Sequence, residues 1–245
     1  MLFVRCLCAL LAASCLCLTG CSLRTESQPQ PSATPLPTAS SSAAAANAPS
    51  VGEDWALRLV NSQNPLPEDF APKTTAIPGY DERLFDARAA DSLCQLLEAA
   101  QQDGCPLYLV SGYRSIERQT ALFARKTRFY LDQGLTQAQA EEKASQLVAR
   151  PGTSEHNLGL AADLVSADWY SSHSDLTADF DTTPAFAWLS QHAADYGFIL
   201  RYPKDKQAIT GVDYEPWHYR YVGREAALAI TSAGLTLEEY HAQHP

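Results

Sequence analysis

The sequence predicts an α+β domain, a small antiparallel sheet with helices packed around it. Three observations point there. Segments with helical periodicity and segments with strand periodicity follow one another irregularly, without the repeated strand–helix–strand units of a parallel sheet. The strand-like runs are few and short: Leu107–Val110, Leu160–Val165 and Trp217–Val222. The stretch able to fold, residues 51–245, has the length of one domain with a proper core.

Residues 1–20 do not read as part of that domain. Met1–Arg5 carries a single positive charge, and Cys6–Leu18 is an apolar run of signal-peptide length, too short to span a bilayer. Leu18-Thr19-Gly20-Cys21 resembles a bacterial lipobox. That resemblance implies cleavage before Cys21, a lipid on its thiol, and a mature protein held on the outer face of the cell membrane. Residues 21–50 are Ser, Thr, Ala, Pro and Gln with almost no large apolar side chain, so burial cannot offset the entropy of ordering them. They read as a disordered tether. Of the seven cysteines, only Cys94 and Cys105 lie beyond Cys21, which excludes a disulfide-rich scaffold. The formal net charge is −10, and loss of Arg5 with the leader makes it more negative. Such a body argues against nucleic acid or anionic lipid as the main partner.

Within the domain the elements follow from local signals. Asp54–Val60 reads as a short helix stopped by Asn64-Pro65-Leu66-Pro67. Asp86–Asp103 reads as an amphipathic helix, with Leu93, Leu96, Leu97 and Ala100 on one face and Gly104 as its stop. Leu107–Val110 follows as a buried strand. Ser115 caps a helix running to about Asp132, and Thr136 with Gln139 forms a capping box for another. Pro151–Gly159 reads as a loop, and Ala161, Asp163 and Val165 share one face of the strand after it. Asp168–Thr183 reads as an acid-rich loop; Thr183 and Pro184 open a helix that Gly197 closes. After the strand Trp217–Val222 come two helices, the last with a Thr236/Glu239 capping box. Cys94 sits on the apolar stripe of a helix, about 14 Å along its axis from the turn that holds Cys105, so the two thiols should stay unbridged.

Two segments carry the chemistry: Ser154-Glu155-His156-Asn157-Leu158-Gly159-Leu160-Ala161-Ala162-Asp163, and Glu215-Pro216-Trp217-His218. His156, His218 and Asp163 make a nitrogen and oxygen ligand set suited to Zn²⁺ with a position left for water. Glu215, three residues before the last imidazole, is placed to take a proton from that water, which names metal-assisted hydrolysis as the reaction class. On a regular strand Glu215 and His218 would face opposite sides. Pro216 removes a ladder donor, so the chain should turn there and bring Glu215 round to His218. His173, His192, His241 and His244 have no acidic or His partner at ligand spacing and suit surface roles. The motifs Ser-x-x-Lys, Lys-Thr-Gly and His-Glu-x-x-His do not occur, which excludes the serine peptidases and helical zincins that use them.

Joined with Ser111-Gly112-Tyr113-Arg114-Ser115, these segments resemble the VanY-type zinc D-alanyl-D-alanine carboxypeptidases and the related L,D-carboxypeptidases, from about Leu59 to Gly223. The resemblance implies that His156, Asp163 and His218 bind Zn²⁺ on one face of a central antiparallel sheet. It implies Glu215 as general base, Arg114 as stabiliser of the oxyanion, and Ser154, Gln119 and Tyr202 as residues that hold the terminal D-alanine. The expected substrates are peptidoglycan stem peptides, cut by a lipid-anchored monomer that binds no nucleic acid. Pentapeptides (D,D cleavage) are favoured over tetrapeptides (L,D cleavage), and the loops 167–182 and 204–211 are where that choice could be made. A silent wall-peptide binder is the non-enzyme alternative, and retention of Glu215 speaks against it.

Overall fold

The computed structural model describes residues 55–80 and 83–244, so the leader, Cys21 and the tether lie outside the described residues. A small hairpin comes first, β1 (Thr74–Ala76) paired antiparallel with β2 (Leu84–Asp86). Helix α1 (Ala90–Gln102) leads into β3 (Leu107–Ser111), followed by α2 (Ile116–Leu131) and α3 (Gln137–Ser145). The one-turn helix α4 (Glu155–Leu158) precedes β4 (Ala161–Ser166), α5 (Ala167–Ser172) and α6 (Pro184–His192). Then come β5 (Phe198–Leu200), α7 (Gln207–Thr210), β6 (His218–Tyr221), α8 (Arg224–Ala233) and α9 (Leu237–Gln243).

Strands β3, β4, β6 and β5, in that spatial order, form an all-antiparallel sheet. This is the α+β arrangement expected. Strand β4 is central, and Ala161 to Val165 are all buried. Its Leu164 joins Leu93, Leu96, Leu109 and Leu189 in one core cluster, so the apolar stripe of α1 and the inner face of α6 close the same core. A second cluster, built on Leu57, Ile199, Val222, Ile230 and Leu237, seats α8 and α9 against the β5–β6 end.

The helix starts follow their caps. Ser115 accepts from the Arg118 amide, Thr183 from Phe186, and the Thr136/Gln139 and Thr236/Glu239 boxes are both formed. Four boundaries differ from expectation. Of the helix read at Asp54–Val60, Asp54 lies outside the described residues, and Trp55–Val60 holds only a 3-10 turn at Trp55–Leu57, because the Arg220 guanidinium takes the carbonyls of Ala56 and Arg58. The helix read from Asp86 begins at Ala90: Asp86 ends strand β2, and its carboxylate accepts from the Arg88 amide and guanidinium. The supposed loop 168–183 contains α5, capped by Ser166, and a 3-10 turn at Ala178–Thr182, with Trp169 and Phe180 buried as anchors. Pro151–Gly159 is likewise not all loop, since it holds α4. Cys94 and Cys105 are free thiols, each half-buried against the core.

Candidate metal centre

In the β4–β6 pairing Asp163 stands directly opposite His218. Opposed residues on antiparallel strands point to the same face, so the carboxylate and imidazole meet: Asp163 Oδ1 lies 3.2 Å from His218 Nδ1. His156 arrives from α4. The Ser154 hydroxyl caps that turn by accepting from the His156 amide, and Gly159 ends it in the left-handed region at φ 85°, where its carbonyl accepts from Asp86 N. His156 Nε2 is 3.2 Å from Asp163 Oδ2, and the two imidazole rings stand nearly perpendicular with centroids 5.0 Å apart. One ligand atom from each of the three residues lies within 4.8 Å of the others. All three side chains are buried, and Asp163 Oδ1 has no hydrogen-bond partner among the described residues. A buried carboxylate oxygen left without a donor, between two imidazole nitrogens, fits a divalent metal of the zinc type.

Each imidazole is aimed by what its other nitrogen touches. His156 Nδ1 lies 2.7 Å from the Gly112 carbonyl, which can only accept, so Nδ1 carries the proton and the Nε2 lone pair faces Asp163. That carbonyl is in place because position 112 has no side chain: a Cβ there would collide with the Leu84 carbonyl oxygen. His218 turns Nε2 the other way, to 3.6 Å from Glu155 Oε2. Glu155 has no role in the sequence reading, yet it is fully buried. Its Oε1 accepts from Arg201 Nε at 2.8 Å and Arg220 Nη1 at 2.6 Å, and Arg201 reaches on to Glu238 of α9 with both terminal nitrogens. A lone Glu beside a motif His looks in sequence like a solvated acid; the signal was two arginines within otherwise apolar, aromatic surroundings in the segments that hold Tyr202 and His218.

The electrostatics follow from these contacts. Burial would push the Asp163 and Glu155 carboxyls up, but the imidazoles beside the first and Arg201 and Arg220 beside the second hold both well below the usual range. For His218, burial is outweighed by Asp163 and Glu155, and its pKa rises to about 9. For His156 burial outweighs Asp163, with the Arg114 guanidinium adding to it, and the imidazole is held below its usual range.

Glu215 reaches the centre through a turn. The His218 amide donates to the Glu215 carbonyl at 3.1 Å across Pro216-Trp217, and the Glu215 amide donates to Tyr202 O. Glu215 Oε2 lies 3.6 Å from His218 Nδ1, and burial, with Asp163 adding to it, pushes the carboxyl up to about 7. Arg114 sits on the same cleft, its guanidinium donating to Gln119 Oε1 (2.9 Å) and Ser111 Oγ (3.0 Å). Gln119 is buried, and its Nε2 donates to Ala149 O, so both ends of the amide are engaged within the protein. Gln119 thus orients Arg114. Tyr202 packs its ring on His218 at 4.8 Å between centroids, and Ser154 also lines the cleft. Asn157, overlooked in the sequence, ties the loops together: its Nδ2 donates to Arg114 O and its Oδ1 accepts from Gly152 N.

The cleft encloses about 510 Å³, and its lining also includes Lys126, Leu147, Leu176 and Trp217. Of the two stretches proposed to set substrate preference, only the first lines it, through Ser174, Asp175 and Leu176; Val212 lies just after the second. His173, His192, His241 and His244 are elsewhere, against Trp169, Trp188, Leu57 O and Tyr240 respectively.

The Gly112 approach generates a prediction. Gly112→Ala should destabilise the fold by about 1–3 kcal/mol, as overpacked sites do, and should weaken metal binding as the 112 carbonyl leaves His156. Urea denaturation and a chelator competition check it; unchanged values in both would show that β2 simply moves aside.

Comparison with known proteins agrees with this geometry. The VanY family profile, described as D-alanyl-D-alanine carboxypeptidase, matches residues 82–224. A D-alanyl-D-alanine carboxypeptidase of Enterococcus faecalis is 43% identical over 188 residues, covering 77% of this chain and 66% of the relative; the chain thus spans about two thirds of that relative's length. Among solved structures, a variant of the vancomycin resistance D,D-pentapeptidase VanY in complex with Zn(II) superposes with a TM-score of 0.66 at 42% identity, covering 76% of this chain and 99% of that one. The LD-carboxypeptidase LdcB superposes with a TM-score of 0.67 at 38% identity, over 76% and 86% of the two chains. With a family match that spans more than half the sequence and contains His156, Asp163, His218, Glu215 and Arg114, this chain belongs to the VanY family of D-alanyl-D-alanine carboxypeptidases.

Proposed function

We infer that this protein is a zinc carboxypeptidase that removes the terminal D-alanine from peptidoglycan stem peptides. The observation that carries the inference is Glu215 Oε2 standing 3.6 Å from His218 Nδ1, beside the ligand set, in a cleft that also holds Arg114. A binding protein has no need of that carboxylate. His156 through Nε2, His218 through Nδ1 and Asp163 through its carboxylate would hold the zinc, whose Lewis acidity makes water a competent nucleophile at neutral pH.

The chain's own groups do the rest. Glu215, raised to about 7 by burial, is a stronger base than a free carboxylate and takes a proton from the attacking water. As the water oxygen bonds to the scissile carbonyl carbon, charge moves onto the carbonyl oxygen, where the fixed cation of Arg114 stabilises it. The C–N bond then breaks while Glu215 returns its proton to the departing amine of D-alanine. Ser154 and Tyr202, both lining the cleft, are assigned to the terminal residue and its carboxylate. Trp217 and Leu176 wall the site and limit the entry of further water.

Glu215→Gln should leave zinc bound and lower turnover by more than the roughly 10²–10⁴-fold of an ordinary acid–base group, because one carboxylate serves two proton transfers. Near-normal hydrolysis by this variant would remove Glu215 from the mechanism. His156→Ala and His218→Ala should lose most of the zinc, and Asp163→Asn should lose less; full occupancy without His156 would place the metal elsewhere.

Substrate choice rests on the D,D assignments of the relatives, set against the L,D activity named for LdcB. We propose D,D cleavage. Mass spectrometry of products from a pentapeptide and a tetrapeptide should show D-alanine released from the former in preference; release from the tetrapeptide alone would overturn the assignment.

We also propose that the protein acts outside the cytoplasm, as a monomer held to the outer face of the membrane by lipid on Cys21. The lipobox-like Leu18-Thr19-Gly20-Cys21 and the polar stretch after it support this. Cys21→Ala should move the protein from the membrane fraction to the soluble one, and its retention on membranes would sink the tether.

A further inference from the structure

Glu155 is a charged side chain in the least hospitable place in the molecule. It is 1% exposed, and so is Arg201, while Arg220 is fully buried. Two cations share its Oε1, at 2.8 Å and 2.6 Å. Among the described residues its second oxygen, Oε2, has no hydrogen-bond partner, and neither has the atom facing it, His218 Nε2, 3.6 Å away. An unpartnered buried carboxylate oxygen and an unpartnered buried ring nitrogen facing one another are each an expense that a fold removes unless they serve one another. The other ring nitrogen, Nδ1, is the one that faces Asp163 and Glu215.

We propose that Glu155 is a positioning residue for the metal centre: its carboxylate accepts the Nε2 proton of His218 and so holds the ring with Nδ1 bare toward the metal. The relay extends past the family-matched segment, which ends at residue 224. Arg201 Nη1 and Nη2 donate to Glu238 Oε2 and Oε1 at 2.8 Å and 2.6 Å, so α9, the last helix described, braces the same imidazole through Glu238, Arg201 and Glu155. A neutral Gln at 155 could keep the shape, but buried Arg220 would lose its counter-charge, Arg201 one of its two, and the imidazole its anionic acceptor.

The proposal rests on the zinc reading above, and the test separates the two. Zinc affinity is measured by chelator competition on the full protein, wild type and variants, beside thermal denaturation of the zinc-free forms. Glu155→Gln should weaken zinc binding about 10–100-fold, the usual cost of losing an outer partner of a ligand histidine. Glu238→Gln should weaken it in the same direction by a smaller factor, and Glu155→Asp should recover part of the loss. A lowered melting temperature with unchanged zinc affinity would make Glu155 merely structural and overturn the proposal. Should Glu155→Gln fail to fold, the wild-type zinc protein decides: nitrogen-15 NMR of the His218 ring should show a protonated, hydrogen-bonded Nε2 and a metal-bound Nδ1. The reverse assignment overturns the proposal. Absence of zinc binding by the wild type would sink the metal reading itself and the relay with it.

Discussion

The register between β4 and β6 is the constraint on which the rest depends. With Asp163 opposite His218, two polar side chains share one face at the end of the sheet nearest the α4 turn. A slip of one residue would turn Asp163 toward the apolar core and carry Ala162 or Leu164 to the cleft. Hydrogen bonds just beyond the paired residues lock this alignment: Leu164 N donates to Trp217 O and Tyr221 N to Leu160 O, each at 2.9 Å. On the other side of β4 the pairing with β3 jumps between Leu109 and Ser111, leaving Val110 as the extra residue of a bulge. The bulge sets Ser111 opposite Asp163, where its hydroxyl accepts from Arg114. One strand therefore aligns a metal carboxylate, a metal imidazole and the support of a cation.

Behind the sheet's polar end, a buried charge network joins parts of the chain that are far apart in sequence. Arg220 binds Glu155 and also the carbonyls of Ala56 and Arg58, so it fastens the first described segment to the centre. Arg201 fastens α9 in the same way. Such networks contribute little net stability, but removing a single member commonly costs about 3–5 kcal/mol, because the remaining charges stay buried. Their value lies in direction. Two arginines that are themselves fixed by other acceptors leave Glu155 little freedom, and a carboxylate with little freedom can aim a ring.

Much of this was legible in the sequence because it is local. Caps at Ser115, Thr136, Thr183 and Thr236 are written in a few adjacent residues, and so are the amphipathic stripe of α1 and the turn forced by Pro216. The metal set was legible because His156, Asp163 and His218 are polar residues at element boundaries that core packing does not explain. What escaped was tertiary in origin. Strand β5 has three residues, too few to show a period, and exists because β6 pairs with it. The helix expected at Asp54–Val60 failed because a guanidinium 160 residues away competes for its carbonyls. Glu155 was passed over since an acid's burial is set by partners that only the fold assembles. Gln119 lines the cleft as expected, and its contacts with Arg114 and Ala149 O escaped the sequence because they depend on how α2 meets the segment after α3.

That last contact explains why position 114 holds arginine. The cleft faces a cluster of anionic groups, Asp163 and Glu215 among them, and a flexible cation placed nearby would fold onto those carboxylates. Arg114 is prevented from doing so at several points. Its Nη1 and Nη2 donate to Gln119 and Ser111, its amide to His156 O, and its carbonyl accepts from Asn157. Gln119 is itself held by Ala149 O at 2.6 Å. A planar fork bonds two separate acceptors through different nitrogens in one fixed geometry. The ammonium of a lysine would be drawn to whichever acceptor lay nearest. The charge would survive that substitution; the two-point hold on Gln119 and Ser111 that keeps it in place on the cleft would not.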